Sequence, residues 1–121
     1  MTTRAAARLV AVACLMLAVP VTRANSEDDH SLSANAIMPG CEGFLSPRPQ
    51  PSYLHGLCIG VVEGVSTTAQ IAGRLCIPDG VIGGQAVRVV IQFINARPAR
   101  MHERFSALAF EALTAAWPCK K

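Results

Sequence analysis

"GQAVRVVIQFINARPARMHERFSALAFEALTAAWPC", Gly84 to Cys119, is the stretch that decides the fold. Val87, Val90, Ile91 and Ile94 share one face of a helix running from about Gly84 to Ala96, and Pro98 ends it. Phe105, Leu108, Ala109, Ala112 and Ala116 then keep helical spacing over about Met101 to Ala116. The short connector "ARPAR" (Ala96–Arg100) predicts that these two helices run antiparallel. Such a hairpin returns the chain end to its own beginning. Cys119 follows the second helix and Cys76 precedes the first, so the two are expected to meet in a disulfide.

Working upstream, Tyr53, Leu54, Leu57, Cys58, Val61, Val62 and Val65 predict another helix over Tyr53–Val65, with Ser52 as its N-cap behind Pro51. Ser66, Thr67 and Thr68 read as the turn that ends it, and "TTAQIAGRLCIPDGVIGGQ" as the connector. Gly56, Gly60 and Gly64 lie four apart and form a stripe along this helix. Interior glycines cost roughly 0.8–1 kcal/mol each relative to alanine, which is accounted for if they permit close helix-to-helix packing, with a binding groove as the alternative. "LSANAIMPGCEGFLSP" holds a short first helix, expected to break or kink near Pro39-Gly40, and the three prolines of "SPRPQPS" mark a loop. Cys41 after the first helix then pairs with Cys58 inside the second. The fold class expected is all-α: a small bundle of about four helices stapled by Cys41–Cys58 and Cys76–Cys119. In the chain-entropy picture the two crosslinks contribute roughly 3 and 4 kcal/mol.

The first residues carry a different signal. Arg4 and Arg8 precede an apolar run, Leu9 to Val21, and small residues stand at Thr22 and Ala24. This is the pattern of a secretory signal peptide over residues 1–24, cleaved after Ala24. The run is short for a bilayer span, and a lipoprotein reading at Cys14 fits poorly because few apolar residues precede it. Residues 25–32, with the acidic "NSEDDHS", read as a flexible leader, and residues 33–121 as the domain.

Cleavage removes Arg4, Arg8 and Arg23 from the 11 basic residues and none of the 8 acidic ones, so the mature chain is formally neutral. The overall charge of +3 therefore belongs to the leader and gives no reason to expect nucleic acid or a membrane surface as partner. Four cysteines in a short exported chain indicate two disulfides formed in an oxidising compartment, the periplasm.

No set of reactive groups suggests an enzyme. The cysteines have structural uses, so no free thiolate is left for nucleophilic catalysis. His55 and Cys58 with Cys41 and His102 do not have the spacing of a zinc site, and oxidised cysteines are not ligands. Glu63, Asp79, Glu103 and Glu111 are scattered, and Gly83-Gly84 is a turn before a helix rather than a phosphate loop. No cofactor is expected. What remains is surface: "NARPARMHERF" gathers Arg97, Arg100, His102, Glu103 and Arg104 around a turn. It is either a solvated helix start or a protein-binding tip, since arginines beside a rigid turn make good interface anchors.

The order "SANAIMPGC", "CIGVVEGV", "LCIPDGVIGGQAVRVVIQFINARP" and "ALAFEALTAAWPC" resembles the Rap/Tai immunity family over nearly the whole mature chain. Cys58, Gly60 and Gly64, Cys76 and Pro78, Gln85, and Pro118-Cys119 carry the resemblance most specifically. Leu57 and Val61 depart from it, standing where the family usually has an aromatic beside the second-helix cysteine. The resemblance implies a small exported helical protein that inhibits a peptidoglycan amidase delivered by type VI secretion. A loop would occlude the amidase's Cys–His cleft, and a homodimer is possible. The shared positions are packing and disulfide residues, which bear on fold and compartment more than on role. The reading from another class is a small periplasmic chaperone or envelope-stress protein without enzymatic activity. A lysozyme-inhibitor-like envelope module is a third.

Overall fold

The structure, a computed structural model, describes residues 30–120. The signal-peptide reading of residues 1–24, the Cys14 reading and most of the segment read as a flexible leader lie outside the described residues. A 3-10 turn, His30–Leu32, comes first, with Leu32 packed against the core although it was expected in the leader. Four helices follow: α1 (Ala34–Phe44), α2 (Tyr53–Ile71), α3 (Gly83–Asn95) and α4 (Phe105–Ala116). Among the described residues there is no strand, and no helix is long and apolar enough to cross a membrane. The protein is an all-α bundle.

The core follows the periodicity that shaped the helices. Val87, Val90 and Ile94 of α3, Phe105, Leu108 and Leu113 of α4, Ile37 and Met38 of α1, and Val62 and Ala69 of α2 are buried together in one hydrophobic cluster. α1 packs chiefly on α2 and α3 on α4, and α2 also contacts both α3 and α4. Both expected crosslinks are present. Cys41–Cys58 ties α1 to α2 with Cα atoms 5.3 Å apart, and Cys76–Cys119 ties the chain before α3 to the chain after α4 at 4.9 Å. The first is wholly buried, whereas Cys76 is exposed. The Cys76 N–H also donates to the Trp117 carbonyl at 3.0 Å, so the chain end is held by backbone as well as sulfur.

Four expectations need correction. Of the break or kink expected near Pro39, the break is absent: α1 runs through Pro39, which lies on the exposed face. The absent N–H costs one helical bond, and the buried Gly40-Cys41 pair on α2 holds the helix together across it. α2 extends past Val65 to Ile71, because Ser66 and Ala69 continue its buried face, and Gly73 then supplies the left-handed φ of 64° just beyond its end. α4 begins at Phe105 rather than Met101, and Pro98–Arg100 form a separate 3-10 turn.

The fourth correction concerns Gly56, Gly60 and Gly64, which do not pack against another helix of this chain. They are exposed, and a Cβ added at any of them would meet nothing within 4 Å. Each lies two residues, about 200° around the helix, from the buried Cys58, Val62 or Ser66. The close approach is made by Gly40 instead, where an added Cβ would lie 2.7 Å from the Leu54 Cβ and would also strike the Leu54 backbone.

Candidate functional site

The connector from Ala96 to Arg104 forms a tip at the end of the α3–α4 hairpin, and it is fastened on three sides. Within it, Arg100 N–H donates to the Arg97 carbonyl and Glu103 N–H to the Arg100 carbonyl, both at 2.9 Å. Toward α1, the Glu103 and Met101 carbonyls accept from the N–H groups of Ala34 and Asn35, also at 2.9 Å. Those two donors are first-turn groups with no partner inside their own helix, so the tip completes the start of α1. Ser33 and Arg104 add an antiparallel backbone bridge.

Toward α4 the fastening is ionic. Arg100 Nε and Nη2 donate to the two Glu103 oxygens at 2.7 Å, and Nη1 and Nη2 donate to Glu111 at 2.7 and 2.8 Å. This is a guanidinium gripping two carboxylates, with two bonds to each. Bonding to Glu111 and then Glu103 holds the guanidinium pKa well above its usual value, and bonding to Arg100 holds both carboxyls below the ordinary carboxylate range. Toward α3, the Arg97 guanidinium lies 3.7 Å from the Phe93 ring centroid, and its Nη1 donates to the Phe93 carbonyl at 2.9 Å.

The structure thus gathers all five sequence-selected residues but divides them. Arg97, Arg100 and Glu103 are engaged with the fold, whereas His102 and Arg104 are exposed and make no side-chain hydrogen bond or ion pair among the described residues. Two contributors were missed. Glu111 is eleven residues from Arg100, a separation no local pattern flags, while Phe93 precedes Arg97 by one helical turn and that spacing could have revealed it.

His55 does not approach a metal site. Its Nε2 faces Gly43, and Cys41 and Cys58 are consumed by their disulfide. Among the described residues no group of three or more His, Cys, Asp or Glu side chains could hold a metal ion.

The geometry is that of a small helical domain with two crosslinks and a hydrogen-bonded polar tip. A family model narrows this further. It matches residues 26–119 and describes the Rap1a immunity proteins, and the chain belongs to that family. Immunity proteins act by binding a partner effector protein, so the chain is a binding protein and not an enzyme. No curated protein and no solved structure is a significant match to the chain.

Proposed function

We propose that the protein is exported to the periplasm and there neutralises a peptidoglycan amidase effector of type VI secretion by covering its catalytic cleft. The observation that carries this reading is the fastened tip. Its backbone is held by α1, its shape by the Arg100–Glu103–Glu111 grip and its flank by the Arg97–Phe93 stack. A surface already ordered before contact spends little conformational entropy on binding, and preordering raises affinity without new contacts. The two disulfides support the oxidising compartment, and the amino-terminal apolar run supports export.

The test is co-purification of the oxidised mature chain with peptidoglycan amidases encoded beside its gene. A stable complex whose formation blocks peptidoglycan cleavage supports the reading. Separate elution from all of them, with cleavage unaffected, contradicts it.

A further inference from the structure

Helix starts divide this chain into two pairs. α1 and α2 begin on serines whose Oγ accepts a backbone N–H, Ser33 from Ala36 at 3.4 Å and Ser52 from His55 at 3.3 Å. α3 and α4 begin on Ile82 and Arg104 with no side-chain cap bond. Arg104 is the more costly choice for two reasons. Its side chain has no acceptor to offer the N–H groups of the first turn, and its cation sits at the positive end of the helix dipole. Its backbone is in the extended conformation a capping serine adopts, at φ −62° and ψ 128°, so geometry does not exclude a better residue. The bridge to Ser33 holds its backbone, but among the described residues nothing pairs with its side chain. The side chain is exposed and without a hydrogen-bond or ion-pair partner among the described residues, and the neighbouring Glu103 and Glu111 carboxylates are both taken by Arg100.

A residue that breaks a local rule without an internal gain marks a functional position. We infer that Arg104 is a binding anchor: its guanidinium pairs with a carboxylate at the rim of the effector, and the start of α4 is less stable as the consequence. The inference rests on the occlusion reading and adds the residue and the chemistry it meets. The tip supports an acidic partner surface, since the Arg100 charge is met by Glu103 and Glu111 while the cations of Arg97 and Arg104 have no carboxylate partner among the described residues. Arg100 is a positioning residue in this scheme, because its donors are spent on Glu103 and Glu111.

The experiment compares Arg104→Ser and Arg104→Lys with the unaltered mature chain, measuring the melting temperature and the affinity for the amidase encoded beside the gene. Serine supplies the missing cap, so Arg104→Ser is expected to melt about 4 °C higher while binding at least about tenfold more weakly. Lysine keeps the charge but loses the planar fork, so Arg104→Lys is expected to melt unchanged and bind with intermediate affinity. Gain of stability with loss of binding is a combination that a structural arginine does not produce. If Arg104→Ser melts lower, or binds as tightly as the unaltered chain, this inference is overturned while occlusion stands. If the unaltered chain binds no amidase, both fall together.

Discussion

Replacing Gly40 by alanine tests how α1 and α2 meet. In a helix, alanine for glycine ordinarily gains about 1 kcal/mol. Here the new methyl would lie 2.7 Å from the Leu54 Cβ and against the Leu54 backbone, where carbon atoms rest at about 3.5–4.0 Å. The helices would have to part by about 1 Å. The next residue forbids that, because Cys41 is bonded to Cys58 with Cα atoms 5.3 Å apart. Overpacking costs about 1–3 kcal/mol, and a clash with backbone belongs at the upper end because no rotamer relieves it. The net expectation is a loss of about 2 kcal/mol, a fall in melting temperature of about 8–16 °C for a domain this size. Gly60→Ala is the control. Its Cβ meets nothing, so the full helical gain appears as a rise of about 4 °C or more. Thermal unfolding of the oxidised chain, followed by far-ultraviolet circular dichroism, measures both. A Gly40→Ala variant as stable as the parent would refute the packing described for α1 and α2.

Removing the surface crosslink with Cys76→Ala and Cys119→Ala together frees a 43-residue separation, and chemical denaturation should show a loss of about 4 kcal/mol. Ser66 Oγ is buried without a hydrogen-bond partner among the described residues, so Ser66→Ala is expected to be neutral or to stabilise by about 1 kcal/mol in the same assay, the reverse of an ordinary core deletion. The grip on Arg100 should loosen in acid. Its two carboxyls have folded pKa values below the ordinary 4.5, so their contribution is whole above that pH and is lost as the pH falls through the lower folded values. The protection of the Arg100 and Glu103 amides against hydrogen exchange, relative to the intrinsic rate at each pH, should therefore hold at mild acidity and fall only below the ordinary carboxylate range. A loss of protection near neutrality would contradict the assignment.

The parts of the fold legible in the sequence were those written in local periodicity. Val87, Val90 and Ile94 declare the buried face of α3, and the hairpin they imply brings Cys76 to Cys119 without further information. α2 was read too short because Ser66, Thr67 and Thr68 are poor helix formers by local preference. The structure overrides that preference by burying Ser66 and Ala69 in a helix that contacts both α3 and α4. The glycine stripe misled for a different reason. Four-residue spacing shows that Gly56, Gly60 and Gly64 share a face but not which face, and their offset from Cys58, Val62 and Ser66 was the deciding clue. At the tip, composition located the charged cluster. Which arginine is engaged and which is free depended on Glu111, brought in by the packing of α4 rather than by its place in the chain.

The central claim is that a prefolded, crosslinked surface disables an effector by covering it. The most direct measurement is a titration of the neighbouring amidase's peptidoglycan-cleaving activity with the oxidised mature chain. The account predicts that activity falls linearly to zero at a fixed molar ratio and that the inhibitor is recovered chemically unchanged. Full activity in the presence of a large excess of the chain would contradict it.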